Sequence, residues 1–166
     1  LVARGLRCLV IACNTASALA LPALVGEVPV PVLGVIEPGA RAAVGATITG
    51  KIGVIGTAAT IASEAYTRAI RALRSTATVY AQPCPLFVPL AEEGWDDRPA
   101  TRLVVEEYLM PLRAAKVDVL VLGCTHYPLL AAPIRESMGS AVTLVDSAVT
   151  CAAELEALLA SRSLLA

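Results

Sequence analysis

The chain of 166 residues is long enough to bury a hydrophobic core, as one domain or as two small ones. Its 13 basic and 14 acidic residues are scattered and give a formal net charge of −1, so we predict neither nucleic acid nor a membrane surface as a partner. Prolines and a glutamate interrupt the longest apolar stretch, residues 16–36, which argues against a membrane span there.

Short Val/Ile/Leu-rich runs alternate along the chain with Ala-rich stretches of helical length. This pattern predicts an α/β fold, with a parallel sheet covered by helices on both faces. In chain order, the apolar runs predict strands at residues 7–12, 32–35, 51–55, 78–81, 117–122 and 142–145. The helical stretches between them predict helices at residues 15–25, 58–74, 98–115, 127–138 and 150–161.

A weak internal repeat relates two of these strand-to-helix units. Leu9-Val-Ile-Ala-Cys13-Asn-Thr15 matches Leu120-Val-Leu-Gly-Cys124-Thr-His126, and the offset is 111 residues throughout. Each copy is an apolar strand with a cysteine at its carboxyl end, followed by polar residues that open a helix. Because open α/β sheets bind ligands beyond the carboxyl ends of their strands, two such units facing each other would share one cleft.

The repeat predicts two α/β units that are not both contiguous in sequence. We expect the chain to cross between them at Pro38-Gly39 and to return at Asp146-Ser147. The second unit is then residues 39–146, and the first is residues 1–38 together with 147–166. Since the chain starts with Leu1 and its first seven residues are typical of the end of a helix, we expect the N-terminal part of the first unit to be missing.

The predicted chemistry depends on Cys13 and Cys124, one on each wall of the cleft. Free backbone N–H groups and the positive end of a helix dipole favour thiolate over thiol, so we expect two partly exposed, ionisable thiols. A thiolate that removes a proton from one face of a carbon, and a thiol that returns one to the other face, invert that carbon. Such a reaction needs no cofactor, because the protein supplies orientation and hydrogen-bond donors.

The polar residues near these cysteines have predicted roles as well. We predict that His126, the only histidine, tunes the Cys124 thiol or relays a proton, and that Glu92 orients its imidazole ring. The residues that directly follow the cysteines are predicted to hold an anionic group such as a carboxylate: Asn14, Thr15 and Thr125.

The other cysteines and the glycines do not form a metal or nucleotide motif. Five cysteines without a C-x-x-C pair fit neither a disulfide framework nor a zinc site, which predicts a reducing cytoplasm and no metal. Cys8, Cys84 and Cys151 are interpreted as small buried hydrophobic residues. Gly53-x-x-Gly56 lacks the spacing of a dinucleotide fingerprint and is interpreted as a strand-to-helix turn.

Several motifs occur in the order seen in glutamate racemases, and the chain resembles that family over essentially its whole length. The motifs are ACNTA at residues 12–16, GVIEPG at 34–39, GVIGT at 53–57, CPLFVPL at 84–90, GCTHYPL at 123–129 and VDSA at 145–148. Together they are far more specific than any one of them alone.

The resemblance implies a pseudo-symmetric enzyme of two flavodoxin-like domains with the active site in the cleft between them. Such an enzyme interconverts L- and D-glutamate without pyridoxal phosphate or metal, supplies D-glutamate for peptidoglycan, and is typically dimeric. The resemblance implies acid/base catalysis by Cys13 and Cys124. The residues that match substrate-binding or supporting positions in the cleft are Asn14, Thr15, Thr57, Thr60, Glu92, Thr125 and His126.

The chain departs from the family pattern in two places. The N-terminal Asp-Ser-Gly-rich segment, whose Asp lies beside the first cysteine, and a later Pro-Tyr-Gly substrate loop are both missing. If the chain is the complete molecule, we expect little activity from it.

Three other functions remain open from the sequence. An aspartate racemase would share the two cysteines, although such relatives tend to carry Glu at the position of His126. A cysteine hydrolase would pair Cys124 with His126, but residues two apart at a strand end rarely face each other well. A flavodoxin-like binding module without catalysis is the third possibility.

Overall fold

A computed structural model describes residues 2–163; residue 1 and residues 164–166, which belong to the predicted first unit, lie outside the described part. All strands of the described part are parallel. They are β1 Leu9–Ile11, β2 Val32–Gly34, β3 Lys51–Gly56, β4 Thr78–Pro83, β5 Val119–Gly123 and β6 Thr143–Asp146. Each of them lies at one of the predicted strand positions.

Helices connect the strands, as the α/β pattern predicts. The α-helices within residues 2–163 are α1 Asn14–Leu19, α2 Leu21–Leu24, α3 Ile36–Ala46, α4 Ala58–Ala62, α5 Ala65–Leu73, α6 Phe87–Glu92, α7 Pro99–Ala114, α8 Ala131–Met138 and α9 Ser147–Ser161. Short 3-10 helices cover Val2–Arg4 and Tyr127–Leu130. None of the helices in this part of the chain combines the length and the apolar composition that a membrane crossing requires.

The strands form two separate sheets. Strands β1 and β2 pair with each other, and the remaining strands form a sheet of order β4-β3-β5-β6. With the strands of this sheet renumbered from its first one, the order is 2-1-3-4, as in flavodoxin-like folds. In the register of the central pair, Ile52 lies opposite Val119 and Gly56 lies opposite Gly123. The carboxyl ends of β3 and β5 are therefore level, and the residues that follow them meet at one edge of the sheet.

The four-stranded sheet is covered on both faces because its central strands are apolar on both sides. Along β5, Val119 and Val121 pack into a cluster with residues of α3 and α5. Leu120 and Leu122 point the other way, into a cluster with residues of α6, α7 and α8. Since alternate residues of a strand face opposite sides, a continuous apolar run such as Val119–Gly123 fits this sandwiched position.

Both residues of the crossing predicted at Pro38-Gly39 belong to α3, so the chain is helical at this position. Pro38 is tolerated there because it lies in the first helical turn, where the N–H group that proline lacks would have no partner within the helix. Helix α3 packs on α5 and α9. The division into residues 39–146 and the remaining segments stays a prediction.

Predicted helices at residues 15–25, 58–74 and 127–138 are each divided. Ala20 ends α1, and Pro22 lies in the first turn of α2. Glu64 separates α4 from α5 with a left-handed φ of 54°. Tyr127–Leu130 forms a 3-10 helix before α8 begins. Helices α3 and α6 were not predicted, and at α3 Pro38-Gly39 was interpreted as a crossing between units.

Leu109 on α7 tests the assignment of the core. It is fully buried, so replacing it by Ala should leave a cavity and lower the free energy of unfolding by about 2–5 kcal/mol. Leu103 on the same helix is 73% exposed, and Leu103→Ala should change that free energy by less than about 0.5 kcal/mol. Urea unfolding measures both variants, and equal losses would contradict the assignment.

Candidate active site

A cavity of about 190 Å³ lies at the carboxyl ends of β1, β3 and β5. This volume is much larger than that of one water molecule, about 30 Å³, so the cavity has room for a small organic ligand. Its lining residues are Cys13, Asn14, Thr15, Thr57, Val88, Cys124, Thr125 and His126. Every predicted site residue except Thr60 and Glu92 is in this set, and those two bond to residues of the set.

Cys13 is exposed and lies at the start of α1 as its N-cap residue. Its sulfur accepts a hydrogen bond from the backbone N–H of Ala16, with a distance of 3.5 Å. Cys13 precedes the helix rather than lying within it because an N-cap residue has extended backbone angles, here φ −82° and ψ 127°. The thiol is thus accessible from the cavity and accepts a hydrogen bond from one backbone donor.

Cys124 differs from the expectation of a partly exposed, readily ionised thiol. It is only 6% exposed, and burial raises the pKa of its thiol. Hydrogen bonding from the backbone of His126 and Tyr127 and from the Thr125 side chain lowers the pKa but does not outweigh burial, and the nearby Cys13 raises it further. The prediction erred because the short 3-10 helix after Cys124 supplies too few donors to offset the loss of solvent.

His126 links Cys124 to Glu92. Its Nδ1 lies 3.7 Å from the sulfur of Cys124, and its Nε2 lies 3.2 Å from Oε1 of Glu92 at the end of α6. The argument that residues two apart at a strand end do not face each other is wrong at this site. His126 has helical backbone angles and directly precedes the 3-10 helix Tyr127–Leu130. The roles of His126 and Glu92 stay predictions.

Three threonine hydroxyl groups join the first cysteine segment to the end of β3. Thr15, Thr57 and Thr60 form a closed triangle, and each oxygen-oxygen distance is 2.9 Å. Thr57 is also the N-cap of α4 and accepts a hydrogen bond from the backbone N–H of Thr60. The triangle places two hydroxyl groups on the cavity wall, held by a third behind them.

Asn14 is held by two buried residues that the sequence analysis did not identify. Its Nδ2 donates to Oγ of Ser147 over 3.1 Å, and its Oδ1 accepts from the hydroxyl of Tyr66 over 2.7 Å. Ser147 lies within the VDSA motif, which was a usable signal. Tyr66 gave no sequence signal, because a tyrosine on an amphipathic helix is usually a core residue. Val88 on the cavity wall was likewise missed.

A sequence model of the Asp/Glu/Hydantoin racemase family matches residues 1–155. This chain belongs to that family. The match spans both cysteine segments and the whole four-stranded sheet, so the resemblance seen in the motifs is confirmed.

Individual relatives agree with the family match. The glutamate racemase of Geobacter metallireducens is 56% identical over 148 residues, which are 89% of this chain and 55% of that protein. The structure of a glutamate racemase isoform from Bacillus anthracis superposes with a TM-score of 0.94 at 43% identity, over 97% of this chain and 60% of that one. The structure of the Francisella tularensis glutamate racemase in complex with D-glutamate superposes with a TM-score of 0.90 at 35% identity. This match covers 99% of the present chain and 61% of the Francisella chain.

These comparisons confirm the α/β fold class and show that the chain shares its fold with glutamate racemases. The chain spans only a little more than half the length of the curated relative.

The different burial of the two cysteines predicts different reactivity towards iodoacetamide at pH 7. Cys13 should be alkylated faster than Cys124, because it is exposed and because the raised pKa of Cys124 keeps that thiol protonated. The difference should narrow as the pH rises towards the pKa of Cys124. Peptide mass spectrometry of timed samples measures both rates. Fully buried Cys84 is the control and should stay unmodified, and faster modification of Cys124 would contradict the burial described.

Proposed function

We propose that the protein carrying this chain is a cofactor-independent glutamate racemase in which Cys13 and Cys124 are the two acid/base residues. The observation that carries the proposal is the presence of both thiols on one cavity, although they are far apart in sequence. Two thiols are what the inversion of a carbon acid needs, since one must accept a proton while the other donates one. The family membership and the named relatives support this reaction over other two-thiol chemistry.

In the proposed reaction, one cysteine thiolate takes the proton from Cα of bound glutamate. The electron pair of the broken C–H bond moves towards the α-carboxylate, and the opposite thiol then delivers its proton to the other face of Cα. The first cysteine ends as a thiol and the second as a thiolate, so the reverse reaction uses the same groups with exchanged roles. Atoms and charge balance without an oxidant, a reductant or a metal.

The raised pKa of Cys124 indicates which thiol is protonated before substrate binds. Burial favours the neutral form of Cys124, so we propose that this thiol is protonated before substrate binds and acts as the proton donor. Cys13 is exposed on the cavity and is proposed as the base in this direction. The reverse direction then starts after the protons have redistributed between the two sulfurs.

The polar residues of the cavity supply partners for the charged groups of an amino acid. The hydroxyl of Thr125 and the second Nδ2 hydrogen of Asn14 can donate hydrogen bonds to a carboxylate, and the oxygens of Thr15 and Thr57, whose protons bond within the triangle, can accept from an ammonium group. Glu92 and His126 are proposed to act together, with Glu92 holding the ring so that Nδ1 faces the sulfur of Cys124. The D-glutamate found in the similar Francisella structure supports glutamate as the substrate.

Further properties follow from the resemblance alone. We propose that the product D-glutamate is used for peptidoglycan, that the protein acts in the cytoplasm, and that it forms a homodimer. We also propose that residues 39–146 form one of the two units that enclose the substrate. Sedimentation velocity of the purified protein tests the dimer.

The distance of 3.7 Å between Cys124 and His126 also favours a second candidate, a cysteine hydrolase with His126 as its base. Hydrolysis needs no second thiol, so it leaves the position of Cys13 unexplained. An acyl-enzyme on Cys124, trapped with an activated ester and detected by mass spectrometry, would support the hydrolase.

Substitution of either cysteine tests the racemase. Cys13→Ser and Cys124→Ser should each lower the turnover of glutamate by about 10²–10⁴-fold, because a hydroxyl is a far weaker acid than a thiol. Cys8→Ser is the matched control and should leave turnover unchanged, since Cys8 is not among the residues that line the cavity. Chiral chromatography measures turnover of both enantiomers. Near-normal activity of either active-site variant would refute the two-thiol mechanism, and faster turnover of aspartate would refute the choice of substrate.

A further inference from the structure

Tyr66 contacts a neighbour of each of the two cysteines. It lies on α5 and is only 3% exposed. Its hydroxyl donates to Oδ1 of Asn14, the residue directly after Cys13, over 2.7 Å. Its ring packs against Gly123, the residue directly before Cys124, so closely that a Cβ on Gly123 would lie 3.3 Å from Cε2. A single rigid side chain therefore spans the distance between the two cysteine segments.

The buried phenol of Tyr66 bonds to the side-chain amide of Asn14, which bonds in turn to Ser147. Burial raises the pKa of the Tyr66 phenol, so the group stays protonated and acts as a donor. The oxygen of the Asn14 amide faces Tyr66 and accepts this hydrogen bond, and Nδ2 faces Oγ of Ser147 and donates to it. All three residues are buried, so breaking either bond would leave a polar group without solvent.

The ring of Tyr66 is held from two sides. A Cβ placed on Gly39 of α3 would lie 3.1 Å from both Cε1 and the hydroxyl oxygen of Tyr66. On the other side, a Cβ on Gly123 would also meet the backbone oxygen of Ile55 at 2.5 Å. Both glycines are needed because the ring and the neighbouring strand occupy the space of a side chain. The ring thus has no room to move towards α3 or towards β5.

We propose that Tyr66 is a positioning residue that sets the separation of the Cys13 and Cys124 thiols across the cavity. The inference rests on the proposed function. Its physical reason is that both sulfurs must reach the same carbon from opposite faces, and a misplacement of about 1 Å costs about 10²-fold in rate. Tyr66 connects to Cys13 through the bonded amide of Asn14, and to Cys124 through contact with Gly123.

Racemization in D₂O by the Tyr66→Phe variant tests this role. The variant keeps the ring against Gly123 but loses the bond to Asn14, so one of the bonds that position the Cys13 segment is removed. We expect kcat/KM to fall by about 10–100-fold. We also expect more deuterium in the remaining starting enantiomer relative to the product, because the carbanion is then more often reprotonated on the face it came from. Proton NMR at Cα together with chiral chromatography gives this ratio at early times.

The ratio of deuterium in the starting enantiomer to deuterium in the product distinguishes a positioning role of Tyr66 from a purely structural one. A purely structural role would lower the amount of folded enzyme and leave the ratio at the wild-type value, and that result would overturn the inference. Ser147→Ala removes the other bond of Asn14 and should raise the ratio in the same direction. If Tyr66→Phe does not fold, the Ser147→Ala result alone decides, and an unchanged ratio overturns the inference.

Two controls distinguish this inference from the proposed function. Tyr108→Phe removes a hydroxyl from α7, where the ring of Tyr108 packs edge-on against Phe87, and should change neither rate nor ratio. If the wild-type protein does not racemize glutamate, the proposed function fails. If it does, but both test variants keep the wild-type ratio, only the positioning role of Tyr66 fails.

Discussion

The site depends on the triangle of hydroxyl groups that joins Thr15 to Thr57 and Thr60. Thr15 belongs to the segment that follows β1, whereas the other two follow β3 in the four-stranded sheet. Because Thr15 is two residues from Cys13, these bonds hold that cysteine at the sheet edge where Cys124 emerges from β5. Neutral hydroxyl bonds are individually weak, about 0.5–1.5 kcal/mol each, but a closed ring of three satisfies every member. The triangle can therefore hold the Cys13 segment firmly at the edge of the four-stranded sheet without a buried charge.

Parallel pairing gives the two cysteines related backbone positions but unequal surroundings. Cys13 follows a strand of a two-stranded sheet and is exposed, whereas Cys124 follows a central strand and is buried. The raised pKa of Cys124 is a direct consequence of that central position. The sequence repeat alone suggested a symmetric pair.

Much of the fold could be predicted because its signals are local. The apolar runs that became β3 and β5 are typical of strands that are buried on both faces of a parallel sheet. The cysteine segments were found through their spacing and their polar successors. Helix α3 was missed because Pro38 and Gly39 usually interrupt helices, and only the helix start makes Pro38 acceptable. Tyr66 was missed for a different reason, since its importance lies in contacts with residues that are remote in sequence, and no local pattern records these.

The most direct test of the account is a crystal structure of the protein with bound glutamate. The account predicts that the sulfurs of Cys13 and Cys124 lie on opposite faces of Cα, each within about 4.5 Å of it. Two sulfurs on the same face, or a glutamate bound outside the cavity between them, would contradict it.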